Sequence, residues 1–192
     1  SLSESGSWCG LSLDNAANIT MTANSSNTGF GYTNSTMTQG SHSVVFACND
    51  TAGNMNASSG ARVFFIDSIA PVVTIIVPTN TTYATSSIPF NFSLNEAGTC
   101  LYSLNTGVTN YTMTANSSNT GFNATNTSIA DGSYTVRAYC NDTAGNRNDT
   151  TTVTFTKDTV APVTSTPAIS PANPADSDDL NCSFTITDER AT

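Results

Sequence analysis

The chain is poor in cations. Its 192 residues hold five Lys and Arg in total, Lys157 being the single Lys, against 14 Asp and Glu, for a formal charge of −9. Phosphate binding needs clustered Lys and Arg, so no nucleic-acid partner is expected. No apolar run approaches the roughly eighteen residues of a membrane-crossing helix, and no membrane span is expected in this chain. Histidine is reduced to His42 and tryptophan to Trp8. With one His and no C-x-x-C spacing, a zinc site has no ligand set. G-x-S-x-G, H-E-x-x-H, phosphate-loop and dinucleotide fingerprints are all missing, so we expect no enzyme. His42 falls in phase with Val44 and Phe46, which assigns it to a core or edge position rather than to general-base work. Helix signals are missing too, because Thr, Asn, Ser and Gly crowd every window and no helical apolar stripe lasts two turns. No signal peptide is visible and residue 1 is not Met, so a processed protein or a piece of something longer is expected.

What the chain does contain, it contains twice. T-M-T-A-N-S-S-N-T-G-F at residues 20–30 returns letter for letter at 112–122, C-N-D-T-A-G-N at 48–54 returns at 140–146, and D-x-x-A-P at 67–71 returns at 158–162. The offsets are 91 or 92 residues, so one unit of that length is duplicated in tandem. Apolar and polar residues alternate with period two: Phe90, Phe92 and Leu94 against Asn91, Ser93 and Asn95, then Tyr134, Val136, Ala138 and Cys140 against Thr135, Arg137 and Tyr139. Strands are predicted near residues 72–77, 89–95, 100–104, 110–115, 120–124, 133–140 and 151–157. Seven short strands in about ninety residues describe a β-sandwich. The repeat alignment then divides the chain into a module at 1–68 lacking its first strands, a complete module at 69–159, and the first strands of a further module at 160–192, spaced by Pro162, Pro167, Pro171 and Pro174.

C-L-Y-S-L-N at 100–105, D-G-S-Y-T-V at 131–136, C-N-D-T-A-G-N and D-T-V-A-P together resemble the immunoglobulin-like repeats of large secreted proteins of archaea and bacteria, over nearly the whole chain. Gln39–Gly40 stands where the second copy has Asp131–Gly132, a departure that keeps the turn glycine. The resemblance implies an all-β chain of tandem immunoglobulin-like sandwich modules of about seven strands each. It also implies an archaeal or bacterial cell-surface setting, as the structural subunit of a glycosylated filament or surface layer. The alternative it leaves is an adhesin or carbohydrate-binding module reading a ligand with loops at one tip. An exposed aromatic cluster would favour that second reading, with Trp8 the one Trp to supply it.

Cys9 and Cys48 occupy the positions that Cys100 and Cys140 occupy one repeat later, each in phase with core-facing neighbours. Disulfides Cys9–Cys48 and Cys100–Cys140 are therefore predicted, each worth roughly 3 to 4 kcal/mol in the chain-entropy model and each implying an oxidising compartment. Cys182 is left over, to pair outside this chain or stay buried as a small hydrophobe. A second extracellular mark is the N-x-S/T glycan acceptor, found at Asn18, Asn24, Asn34, Asn49, Asn56, Asn80, Asn91, Asn110, Asn116, Asn123, Asn126, Asn141, Asn148 and Asn181. Chance at this composition gives roughly half as many. N-linked glycans are expected above all at turn or outward positions such as Asn80, Asn91, Asn116 and Asn148. The repeating carboxylates Asp50, Asp142, Asp67 and Asp158 could hold calcium at module junctions, although turn and linker chemistry alone explains them and is the favoured reading. The unequal ends carry one further expectation. Residues 163–192 own the strands that the first module lacks, so other copies of the chain are expected as partners, head to tail.

Overall fold

The computed structural model describes residues 4–57, 60–173 and 175–188. Outside them lie 1–3 and 189–192 of the outer segments, Ser58 of the Asn56 acceptor triplet with Ser59, and Pro174. Every element among the described residues is a strand, as the content of Thr and other β-branched residues favours. The chain divides into two compact units, Ser1–Ile69 and Ala70–Thr192.

The first unit holds β1 (Gly6–Leu13), β2 (Ile19–Thr20), β3 (Thr22–Ala23), β4 (Phe30–Gly31), β5 (Gly40–Asp50), β6 (Met55–Asn56) and β7 (Arg62–Ile66). Its main sheet runs β2-β1-β5, with β6 and β7 both paired to β5, while β3 and β4 form a separate ladder.

The second unit opens with β8 (Val73–Val77), β9 (Thr82–Tyr83), β10 (Ile88–Leu94), β11 (Gly98–Ser103) and β12 (Tyr111–Thr112). It continues through β13 (Thr114–Ala115), β14 (Gly121–Asn126), β15 (Gly132–Asp142), β16 (Arg147–Asn148) and β17 (Thr152–Lys157). Two sheets, β13-β14-β10-β8 and β12-β11-β15-β17-β9, face each other as a sandwich, with β16 also on β15. The alternation read from sequence is the packing: Phe90, Phe92 and Phe122 of one sheet meet Tyr102, Val136, Ala138 and Phe155 of the other, all buried. The single strand expected at 110–115 is in fact two. β12 pairs β11 in one sheet and β13 pairs β14 in the other, so the chain changes sheets at Met113. β9, parallel to β17, and β16 are two-residue strands, too short for alternation to announce.

β1–β7 repeat β11–β17 in register. Cys9 faces Cys48 as Cys100 faces Cys140, and His42 faces Phe64 as Tyr134 faces Phe155. Within β1 the offset to the second copy passes from 92 at Gly6 to 91 at Trp8, because β1 absorbs Ser7 as a bulge between them. The first unit has no counterpart of β8, β9 or β10 among its described residues. Burial follows: Phe155 is 1% exposed and Phe64 37%. Val136 is fully buried where Val44 is only half-buried.

The last described stretch forms β18 (Val163–Thr164), β19 (Ala168–Ser170), β20 (Asn181–Ser183) and β21 (Ile186–Thr187), in which β18 pairs β21 and β19 pairs β20. These ladders copy the β8–β10 register. Val73 opposes Leu94 as Thr164 opposes Ile186, and Val77 opposes Asn91 as Ala168 opposes Ser183, each strand shifted by its repeat offset. Leu180, Phe184 and Ile186 are nonetheless exposed, whereas Ile88, Phe92 and Leu94 are buried.

Candidate functional site

Disulfides join Cys9 to Cys48 and Cys100 to Cys140, with Cα atoms 4.1 and 4.2 Å apart. In each pair the two residues are directly opposite on adjacent antiparallel strands, at the close spacing of a non-hydrogen-bonded pair. The Cys9 carbonyl consistently turns the other way, to accept from Met21 N–H at 2.9 Å. Each bridge therefore rivets neighbouring strands of one sheet and does not tie two sheets together. Cys182 is exposed and unpaired in this chain.

The duplicated polar motifs are turn machinery. Asp50 Oδ1 accepts from Asn54 N–H at 2.8 Å and its Oδ2 from Asn54 Nδ2 at 2.7 Å. Asp142 repeats the arrangement with Asn146 at 2.9 and 2.8 Å, and its Oδ1 also accepts from Gly145 N–H at 2.7 Å. Gly53 and Gly145, at φ 90° and 96°, supply the left-handed backbone that the turn needs. Hydrogen bonds led by the Asn54 side chain lower the Asp50 pKa. At Asp142 burial pushes upward, and the donors of Asn146, Gly145 and Ala144 outweigh it to leave the carboxyl lowered. Asp67 and Asp158 close two-residue turns onto Ile69 and Val160 N–H at 3.2 and 3.0 Å. At Asn24 and Asn116 the side-chain oxygen accepts from Thr28 and Thr120 N–H at 3.1 and 3.0 Å, and Asn27 and Asn119 carry positive φ. The identical 20–30 and 112–122 blocks thus encode one turn geometry.

Two ion pairs differ between the repeats. His42 Nδ1 lies 2.7 Å from Asp14 Oδ2 and Nε2 lies 2.8 Å from the Thr38 carbonyl, which raises the His42 pKa and lowers that of Asp14. In the second unit Lys157 Nζ donates to Asp131 Oδ1 at 2.6 Å, both side chains nearly buried, while Thr159 N–H and hydroxyl donate to Oδ2. Lys157 first, then Thr159, holds the Asp131 carboxyl well below the usual range.

The glycan acceptors fall into classes that sequence does not separate. Asn18, Asn24, Asn34, Asn56, Asn80, Asn110, Asn116, Asn123 and Asn181 are exposed, and Asn49, Asn91, Asn126, Asn141 and Asn148 half-buried. In three of the latter the amide nitrogen, the atom a glycan would take, already donates: Asn126 to Tyr102 Oη at 3.3 Å, Asn141 to the Asp142 carbonyl at 3.1 Å and Asn148 to the Pro71 carbonyl at 2.9 Å. Asn148, expected among the outward positions, is instead held inward.

Trp8 is not the aromatic tip that a binding role asks for. It is half-buried, donates Nε1–H to Thr20 Oγ1 at 3.2 Å, and lies so close over Gly10 that a Cβ there would strike the indole. The aromatics gather in the second unit, where Phe90 stacks on Tyr102 at 4.0 Å and Tyr102 on Tyr111 at 4.9 Å, from buried core to exposed surface. This ladder ends in a cavity of about 610 Å³ between β11, β12 and β14. Sequence reading missed it. Its signal was present, since Tyr102 and Tyr111 stand where the first copy has Leu11 and Ile19.

With two facing sheets, a sheet-switching strand and turn motifs repeated in place, the second unit has the layout of an immunoglobulin-like sandwich. Residues 79–159 match the bacterial Ig-like domain. Over 125 residues the chain is 34% identical to halomucin of Haloquadratum walsbyi (strain DSM 16790 / HBSQ001), a match that takes in 63% of this chain and 1% of that protein. The chain therefore spans about one hundredth of that relative's length. Among solved structures, the tetra-tandem repeat in the extending region of a large adhesion protein is similar at TM-score 0.41 and 15% identity, over 96% of this chain and 56% of that one. Fibronectin(III)-like modules of Clostridium thermocellum CbhA are similar at TM-score 0.44 and 7% identity, over 82% of this chain and 81% of that one. The matched Ig-like span runs from just before β9 through β17, and the internal duplication carries the strand set β11–β17 back to β1–β7. No helix among the described residues is long and apolar enough to cross a membrane.

Proposed function

We propose that the chain is a structural segment of an extracellular, glycosylated filament or surface layer built from Ig-like modules. In that assembly residues 163–192 complete a sandwich with a strand set like β1–β7. One observation carries this reading: β18–β21 reproduce the β8–β10 register yet leave their apolar face uncovered, and β5 and β7 leave uncovered the face that β8–β10 cover in the second unit. An exposed apolar sheet face is costly and invites pairing, so the two faces fit each other. In-sheet disulfides suit an oxidising exterior and a load-bearing role. The similarity to a very long polypeptide, of which this chain matches about one hundredth, favours modules continuing along one chain. Separate subunits exchanging strands would give the same contact.

Denaturing native material without reductant distinguishes the two. Separate subunits release chains of 19.9 kDa plus sugar, and a continuous array stays far longer. Hydrogen exchange on the native assembly tests the contact itself: amides of residues 163–187 should be protected like those of β8–β10, and unprotected exchange there would overturn the proposal.

A further inference from the structure

We propose that the cavity at the end of the Phe90–Tyr102–Tyr111 ladder binds a neutral saccharide, with Tyr111 as the stacking platform. The inference is independent of the assembly reading. A sugar ring offers a flat face of weakly positive C–H groups and a rim of hydroxyls that both donate and accept, so its site needs an exposed π-face beside uncharged polar groups. Both are here. Tyr111 is 38% exposed and lies against buried Tyr102, which lies against buried Phe90, so the platform is fixed before any ligand arrives. No charged side chain lines the cavity, which fits a ligand that is neither phosphate nor acid. Its volume of about 610 Å³ falls within the usual range for small-ligand sites.

The polar groups are also placed for hydroxyls. The Tyr102 hydroxyl accepts from Asn126 Nδ2 at 3.3 Å, and its own proton meets no acceptor among the described residues, so it can donate into the cavity. Thr125 and Thr127 line the same space, exposed, with hydroxyls that make no hydrogen bond among the described residues. The walls combine β11, β12, β14 and β15 residues with two inter-strand stretches, Leu104–Asn105 and residues 127–130, in which Ile129 is buried in the core. The first unit lacks the ladder, Leu11 and Ile19 replacing both tyrosines, and so offers no such site. A purely structural Tyr111 would need neither exposure nor an uncharged polar rim beside it.

The test is an NMR titration of the isotope-labelled full chain, made without glycosylation, with maltotetraose, cellotetraose and mannotetraose in turn. At least one is expected to shift the amides of Tyr111, Thr125 and Thr127. Tyr111→Ala should weaken that binding by about tenfold or more, while Tyr111→Phe, which keeps the π-face, should bind as before. Absence of localised shifts with all three sugars, or equal binding by the folded Tyr111→Ala chain, would overturn the proposal. Repeating the titration on glycosylated protein identifies the source. Lost binding there assigns the site to the chain's own sugars, Asn110 being an exposed acceptor beside Tyr111, and retained binding assigns it to sugars of another molecule.

Discussion

Asparagine makes both local and distant hydrogen bonds in this chain, and only the local ones are legible in sequence. Asn24 and Asn116 close turns within five residues, so their repeated motif reveals them. Acceptor triplets are equally visible, yet whether the amide nitrogen is free depends on partners far away: Asn148 reaches the carbonyl of Pro71, 77 residues distant. Peptide mapping of native protein should therefore find glycan on Asn80 and Asn123, which are exposed and whose side chains make no hydrogen bond among the described residues, and none on Asn148. A glycan on Asn148 would mean that this turn does not form as described. Charge shows the same division between local and distant causes. Asp131 is depressed below its unfolded value near 4, so the stability it contributes is present above that pH and lost as pH falls through the lower folded value. Asp131→Asn should lower the thermal midpoint at neutral pH, and the gap to the parent chain should close as pH drops below about 4. His42 has the opposite sign. Its pKa is raised by Asp14 and Thr38, so its contribution is complete below about 6.5 and lost as pH rises through the folded value. In His42→Tyr, which copies the second unit, thermal melts should lose that alkaline decline.

At the scale of elements, alternation located the long strands because each has one buried face, as at β10 and β15. It failed at 110–115, where period two continues smoothly through Met113 while hydrogen bonding passes from one sheet to the other. Nothing in a single strand's pattern records which sheet its neighbours belong to. Composition also cannot tell a covered face from an uncovered one. Phe64 and Phe155 are the same residue at the same register, opposite His42 and Tyr134. Phe155→Ala should cost about 3 to 5 kcal/mol, the range for a buried aromatic. Phe64→Ala should cost less, about 1 kcal/mol, because more than a third of the residue is already exposed. Equal losses in denaturant melts would show that the first unit's sheet is covered after all.

For the whole molecule, the repeat alignment supplies a way to complete the first unit without any partner. Thr187 aligns with Asn95 and Glu4 with Glu96, so in the second unit the peptide bond between Asn95 and Glu96 marks where the hairpin passes into β11. A rearranged chain that runs through residues 160–187 and then directly into 4–159 places β18–β21 ahead of β1 as β8–β10 stand ahead of β11. Leu180, Phe184 and Ile186 would then lie over the sheet that carries Val44, Phe46 and Phe64, burying apolar surface on both sides. In this chain amide exchange in β5 and β7 should slow, and the free thiol of Cys182, aligned with buried Phe90, should lose its reactivity toward thiol reagents. The decisive comparison is Phe64→Ala made in both chains. Its cost should rise from about 1 kcal/mol in the parent to about 3 kcal/mol in the rearranged chain, because the ring changes from half-solvated to core. The same cost in both would show that residues 163–187 do not complete a β1–β7 strand set, and the head-to-tail assembly would lose its physical basis.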